Sequence, residues 1–138
     1  MQKRILIIED TVNDLPHYAP LFDGTREVSF LFLTRDADFT KEKLENLAEL
    51  VSEELFKKTK RFYISQKERA EDFLKEREFD FYIIDSLGGF GESVAKSFPD
   101  GHFAFFTSTS AFKDQMEQIG FPAYKKNEME KLIAIHTL

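Results

Sequence analysis

The chain has 138 residues and a formal net charge of −6; 42% of its residues are hydrophobic and 32% are charged. This balance excludes a disordered chain and fits one folded domain over residues 1–138. The acidic charge argues against a nucleic-acid partner. Because the sequence contains no cysteine, it has neither disulfides nor thiolate chemistry.

Six short apolar runs along the chain are predicted to form strands that are buried on both faces. They cover residues 4–8, 28–33, 61–65, 81–84, 103–106 and 122–124. The first run is too short for a membrane span or a signal peptide. We therefore expect a cytoplasmic protein that has no membrane partner.

Helical patterns separate these runs. Residues 40–58 carry an apolar stripe at helical spacing, formed by Leu44, Leu47, Ala48, Val51 and Leu55. By contrast, residues 11–26 contain Pro16 and Pro20. Because proline interrupts the helical hydrogen bonds, this segment is predicted to form a broken helix or a loop.

Three further helices are predicted from their termini. Ser65 has the capping-box spacing that starts a helix, which extends to about residue 77. Ser110 is the predicted cap of a helix that stops before Gly120. Asn127 is the predicted start of the final helix.

The alternation of strands and helices predicts an α/β fold with a mostly parallel sheet of five or six strands and helices on both faces. In such sheets, functional groups gather beyond the carboxyl ends of the strands. The polar residues that follow the predicted strands are Glu9, Asp10, Asp85, Thr107, Ser108, Lys125 and Lys126. We expect these acids, hydroxyl groups and ammonium groups to converge on one edge of the sheet.

Three carboxylates that lie close together cannot all ionise cheaply unless a cation is present. We expect this cation to be Mg²⁺, a hard divalent ion that keeps several waters when it binds carboxylates. Asp85 is the natural nucleophile toward a phosphoryl group, because it is the single acid at its strand end and Gly88 and Gly89 leave space above it. The metal, a lysine and a hydroxyl group would share the charge on the phosphoryl oxygens.

Four segments resemble the receiver domains of two-component response regulators. KRILIIED resembles the family's first strand with its pair of acids, and FDFYIID resembles the phospho-acceptor strand. FAFFTS resembles the strand that carries the switch hydroxyl, and GFPAYKKN resembles the strand that carries the lysine. The resemblance covers residues 3–10 and 61–136 and implies a three-layer, flavodoxin-like, doubly wound fold.

The resemblance implies roles for the acids at the strand ends. Asp85 would accept a phosphoryl group from a histidine kinase or a phosphotransfer protein. Glu9 and Asp10 would hold Mg²⁺ together with Asp85 and a backbone carbonyl near Leu87. These four residues would form the phosphorylation site.

The resemblance also implies a switch and a lysine beside the acids. Thr107 would be the switch hydroxyl, and Tyr124 would be the aromatic residue that reports its position. Alternation along the strand from Tyr124 favours Lys125, whereas reach toward the strand end favours Lys126, and we choose Lys126. Asn127 follows this lysine where the family has proline.

Two intervals also depart from the family. The interval between Asp85 and Thr107 is short, so the helix between them is predicted to have only one or two turns. The interval between Asp10 and Asp85 is long by about one strand–helix unit, which we assign to residues 28–60.

The sequence therefore predicts a stand-alone receiver-like signalling domain rather than a turnover enzyme. Phosphorylation would repack Tyr124 and the surface of the last two helices, and so switch the binding of a downstream protein. One alternative is a pseudo-receiver that binds a partner without phosphate, favoured by the missing proline and the changed loop after Asp85. A second is a Mg²⁺-dependent phosphohydrolase, although Leu87 stands where a second acid would be expected. Homodimer formation is left open.

Overall fold

The computed structural model describes residues 3–10, 15–33, 53–64, 70–87, 91–96 and 98–138. The strands in this part of the chain are β1 (Lys3–Glu9), β2 (Arg26–Leu33), β3 (Lys60–Ile64), β4 (Phe81–Ile84), β5 (Phe103–Thr107) and β6 (Ala123–Lys125). The helices are α1 (Glu53–Lys58), α2 (Ala70–Glu76), α3 (Gly91–Ala95), α4 (Ser110–Ile119) and α5 (Met129–Ile135). A 3₁₀ helix covers Leu15–Leu21.

The described strands form one six-stranded sheet in the order β3-β2-β1-β4-β5-β6. Every neighbouring pair is parallel. The chain moves outward from β1 through β2 to β3, then returns to β4 on the other side of β1. This reversal makes the sheet doubly wound, and its switch point lies between β1 and β4, where such folds place their sites.

Side chains on the two faces of the sheet form two separate cores. The 3₁₀ helix and α5 cover one face, where Leu15, Tyr18, Met129 and Leu132 are buried against strand residues such as Phe30. Helices α2, α3 and α4 cover the other face, which buries Phe73, Val94, Met116 and Phe105. The predicted three-layer, doubly wound α/β fold is therefore confirmed.

Strand β3 lies at the edge of the sheet, next to β2. Without β3, the order β2-β1-β4-β5-β6 is the flavodoxin-like order 2-1-3-4-5. Strand β2 pairs directly with β1 and occupies the second position of that order. The inserted strand–helix unit assigned to residues 28–60 stays a prediction.

The final strand lies one residue later than predicted, at Ala123–Lys125 rather than 122–124. Pro122 has no N–H group to donate to a neighbouring strand. Its carbonyl accepts a hydrogen bond from the backbone N–H of Phe105 at 2.9 Å. Proline therefore precedes this edge strand rather than belonging to it.

Two predicted helix caps are wrong. Ser110 is the first residue of α4, and the cap position before it belongs to Thr109. The Ser110 hydroxyl instead accepts a hydrogen bond from Lys125 Nζ at 2.9 Å. Glu128, not Asn127, occupies the cap position of α5, while its carboxylate accepts the backbone N–H of Lys125 at 2.8 Å. The side chains of Ser110 and Glu128 therefore both bind Lys125 of β6.

Three other features of the helices agree with the sequence predictions. Helix α4 ends at Ile119, and Gly120 takes the left-handed conformation with φ 101° that a helix stop requires. Helix α3 has five residues, which is the short helix expected before β5. Segment 11–26 contains the short 3₁₀ helix in place of a regular helix.

Some predictions fall outside the described residues. The start of the 40–58 helix is among them, together with Leu44, Leu47, Ala48 and Val51 of its apolar stripe. Ser65, the predicted start of the helix that contains α2, is also outside. In the part of the chain that is described, no helix is long and apolar enough to cross a membrane.

Candidate functional site

The carboxyl ends of β1 and β4 bring three acids together at the switch point. Ile8 of β1 pairs with Ile84 of β4, and the next residue in each chain is an acid, Glu9 or Asp85. The Asp85 N–H donates to the Ile8 carbonyl at 2.9 Å, which extends the pairing by one step. One carboxylate oxygen from each of Glu9, Asp10 and Asp85 lies within 4.8 Å of the other two.

Lys126 lies against two of these acids. Its Nζ is 2.7 Å from Glu9 Oε2 and 3.1 Å from Asp85 Oδ1, and its side chain is 5% exposed. The backbone N–H of Lys126 donates to the Thr107 carbonyl at 2.9 Å, which fixes the residue just beyond β6. The Lys125 ammonium instead binds Ser110, so Lys126 is the lysine that faces the acids.

Tyr18 also lies in the site, although it was not among the residues predicted from the sequence. Its hydroxyl donates to Glu9 Oε2 at 2.6 Å and accepts a hydrogen bond from Lys126 Nζ at 3.1 Å. Leu15, Tyr18 and Leu21 are all buried at a spacing of three residues. This is the period of a 3₁₀ helix, so the spacing was the signal that could have revealed the inward position of Tyr18.

Burial controls the charge of Glu9. The side chain has 0% exposure, and its pKa is raised from 4.5 to about 7, with desolvation as the largest cause. The Lys126 ammonium lowers this pKa and so offsets part of the rise, while the Asp85 carboxylate contributes to the rise. Near neutral pH, the fold thus holds a glutamate that gains or loses a proton easily.

The backbone around Asp85 is closely packed. Asp85 Oδ2 accepts the N–H of Leu87 at 3.0 Å, and Leu87 itself has a left-handed φ of 52°. Helix α3 begins so near that a Cβ atom on Gly91 would lie 2.5 Å from the Asp85 carbonyl oxygen. The turn after β4 therefore fixes the orientation of the Asp85 carboxylate and requires glycine at position 91.

Thr107 and Tyr124, the predicted switch residues, lie on the adjacent strands β5 and β6. Thr107 is fully buried, and its Oγ1 accepts the N–H of Thr109 at 3.2 Å. Tyr124 is buried as well, and its hydroxyl is 3.0 Å from His136 Nε2. Burial raises the pKa of Tyr124 and lowers the pKa of His136, so both rings favour their neutral forms.

A scan against protein-family models and a search of curated proteins found no match to this chain. What the protein does has to be inferred from the site itself. The segment 10–14, between β1 and the 3₁₀ helix, contains no glycine, although a dinucleotide-binding fingerprint would place glycines there. In the described part of the chain, the chemistry of the site includes the carboxylates of Glu9, Asp10 and Asp85, the Lys126 ammonium group and the Tyr18 hydroxyl group.

Proposed function

We propose that this protein is a receiver-like signalling domain in which Asp85 accepts a phosphoryl group. One observation carries the proposal: the buried Lys126 ammonium joins Asp85 and Glu9 at the switch point of a doubly wound sheet. A fixed carboxylate supplies the nucleophile. The adjacent ammonium supplies a positive charge for the phosphoryl oxygens.

The transfer forms one bond and breaks one bond. A carboxylate oxygen of Asp85 attacks the phosphorus of a phosphohistidine or an acyl phosphate. The phosphorus–nitrogen or phosphorus–oxygen bond of the donor breaks, and its electron pair leaves with the imidazole or the carboxylate. The imidazole takes a proton from solvent. Lys126, which is 3.1 Å from Asp85, is placed to donate a hydrogen bond to a phosphoryl oxygen.

The acids of the site fit Mg²⁺, with different roles. Glu9 Oε1 already accepts the Asp10 N–H, and Glu9 Oε2 accepts Tyr18 and Lys126. Asp10 and Asp85 would therefore hold the ion directly, while Glu9 would bind one of its waters. When bound, Mg²⁺ would neutralise charge between the carboxylates and the phosphoryl oxygens. The Leu87 carbonyl remains the predicted backbone ligand.

The switch and the partners belong to the same proposal. Thr107 would turn its hydroxyl from Thr109 toward the new phosphoryl group, and Tyr124 would leave its contact with His136. That contact joins β6 to the end of α5. Its loss would change the surface that a downstream protein binds. The phosphoryl donor would be a histidine kinase or a phosphotransfer protein.

The hydrogen bonds that Glu9 forms within the protein favour a second candidate, the pseudo-receiver. Both Glu9 oxygens are hydrogen-bonded within the protein, and the Lys126 ammonium already offsets part of the acidic charge. A site satisfied in this way is stable without a metal or a phosphoryl group. The same surface would then bind its partner without phosphorylation.

Incubation with acetyl phosphate and Mg²⁺ distinguishes these two candidates. In intact-mass spectra, the wild-type protein should gain one phosphoryl group, and Asp85→Asn should gain none. Asp80→Asn is a matched control, because Asp80 precedes the same strand but binds the Arg4 N–H at the opposite edge of the sheet. Modification of Asp85→Asn, or none of the wild type, would contradict phosphorylation at Asp85.

A further inference from the structure

Tyr18 carries a hydroxyl group that its packing does not require. Its ring contacts Phe30 and Phe106 with centroid separations of 6.0 and 5.1 Å, as a phenylalanine ring could. The chain uses phenylalanine at 16 positions, so an apolar ring is its usual solution for the core. Burying a hydroxyl group costs free energy unless the group is hydrogen-bonded. The Tyr18 hydroxyl thus points to a role in its two hydrogen bonds.

One of these bonds joins Tyr18 to the Lys126 ammonium. Lys126 Nζ donates to Glu9 Oε2 at 2.7 Å and to Tyr18 OH at 3.1 Å. It also forms an ion pair with Asp85 Oδ1 at 3.1 Å. The ammonium also lies 5.0 Å from the Tyr18 ring centroid and 4.8 Å from that of Phe106, within cation–π range.

These three partners of the ammonium differ in what phosphorylation would do to them. Asp85 would carry the phosphoryl group, and Glu9 would turn toward the water of a bound ion. Of these three, Tyr18 is the partner that neither the phosphoryl group nor the metal would use. It also sits on a separate element, the 3₁₀ helix, which is anchored by Leu15 and Leu21 on either side.

We propose that Tyr18 is a positioning residue for phosphoryl transfer, which holds the Lys126 ammonium beside Asp85 while the other two acceptors change partners. Without this contact, the flexible four-carbon side chain of Lys126 samples other rotamers. The phosphoryl oxygens then lose their nearest positive charge for part of the time. This role rests on the proposed phosphorylation of Asp85.

The test compares the rate of phosphorylation by acetyl phosphate at saturating Mg²⁺ in matched variants. Tyr18→Phe should lower the rate by about tenfold, the effect of one lost buried hydrogen bond. Tyr82→Phe is the control, because the Tyr82 hydroxyl accepts the Phe79 N–H at 3.2 Å and lies away from the acids. This control should leave the rate within about twofold of the wild type.

A double-mutant cycle with Lys126→Met separates positioning from general loss of structure. If Tyr18 acts through Lys126, then Tyr18→Phe should change the rate less than about twofold in the Lys126→Met background. If Lys126→Met folds too poorly for the assay, Lys126→Leu, which also lacks a hydrogen-bond donor, takes its place. Equal effects of Tyr18→Phe in both backgrounds, or of Tyr18→Phe and Tyr82→Phe, would overturn the proposal.

If the wild type gains no phosphoryl group, the proposed function falls and this role falls with it. If the wild type is modified and Tyr18→Phe reacts equally fast, only the positioning role falls.

Discussion

Glu9 differs from the other two acids of the site in the depth of its burial. It has 0% exposure, whereas Asp10 is only half-buried. Desolvation has the largest effect on the pKa of Glu9 and raises it, although the Lys126 ammonium is only 2.7 Å away. The ion pair is therefore not a simple gain in stability, since burying both charges offsets much of their attraction.

The raised pKa of Glu9 predicts a specific dependence of stability on pH. Between pH 4.5 and about 7, the folded protein keeps a proton on Glu9 that the unfolded chain has lost. Raising the pH through this window therefore removes stability, by about 3 kcal/mol at most. In metal-free buffer, Glu9→Gln should lack this loss, as measured by urea unfolding at both ends of the window. Parallel pH dependence in the variant and the wild type would contradict the prediction.

The two adjacent lysines provide a matched pair of substitutions. Lys126→Ala leaves Glu9 and Asp85 buried without their cation, so we expect a loss of about 3 kcal/mol in the free energy of unfolding. Lys125→Ala removes an exposed contact with Ser110 and should cost less than about 1 kcal/mol. Chemical denaturation of both variants measures the difference. Equal losses would mean that the buried ion pairs do not hold the site together.

Two elements set the geometry of Asp85: the strand before it and the short helix after it. Strand β4 is buried along its whole length, and α3 packs its first residue against the backbone of Asp85 and Ser86. Gly91 allows this approach, since a Cβ atom there would lie 2.5 Å from a backbone oxygen. The position of α3 thus depends on the absence of one methyl group.

Gly91→Ala should therefore destabilise the protein, although alanine usually favours a helix. The backbone must move to relieve the contact, and we expect a loss of about 2 kcal/mol together with slower phosphorylation of Asp85. Gly101→Ala is the control, because a Cβ atom there meets nothing within 4 Å and only the positive φ of 82° opposes it. Thermal unfolding and intact-mass kinetics measure both effects. Normal kinetics in Gly91→Ala would show that α3 does not position the acceptor.

The elements also show what the sequence could reveal and what it could not. Short runs of Ile and Phe predicted the buried strands, because no other element of that length hides both faces. Pro16 and Pro20 predicted a broken helix or a loop in segment 11–26, but they did not specify the 3₁₀ helix at Leu15–Leu21. Tyr18 was not predicted as a site residue, because its contacts with Glu9 and with Lys126, which is 108 positions away, depend on the tertiary fold.

Position 126 illustrates a limit of reasoning from strand alternation. Alternation from Tyr124 pointed to Lys125, but β6 ends at that residue. Beyond the end of a strand, the chain direction is set by the turn, and here the Lys126 N–H binds the Thr107 carbonyl. Which of two adjacent lysines faces a site is thus decided by where the strand stops, which sequence patterns locate only within a residue or two.

At the scale of the whole molecule, the sheet order brings together residues that are far apart in the chain. Glu9 and Lys126 are separated by 117 positions and lie 2.7 Å apart. Functional groups in parallel sheets gather beyond the carboxyl ends of the strands, and this regularity predicted the convergence from sequence. The hydrogen bonds to Glu9 could not be predicted in the same way, since they depend on side-chain distances within the core.

Binding of Mg²⁺ at the acidic edge should stabilise the whole fold. An ion that binds only the folded protein adds about 2.7 kcal/mol at one hundred times its dissociation constant, so the melting temperature should rise by several degrees. Asp10→Asn should abolish most of this rise, because Asp10 is proposed to be a direct ligand. Differential scanning calorimetry with and without Mg²⁺ measures it. An unchanged melting temperature in the wild type would count against a metal site.

The fluorine NMR spectrum of the protein with beryllofluoride and Mg²⁺ most directly tests whether Asp85 is a phosphoryl acceptor supported by Lys126. Beryllofluoride mimics a phosphoryl group on a carboxylate, so the wild type should show bound fluorine resonances that are absent from Asp85→Asn. In Lys126→Met, at least one bound resonance should shift, because the ammonium is proposed to lie against the phosphoryl oxygens. A wild-type spectrum that contains only free beryllofluoride would contradict phosphorylation at this site.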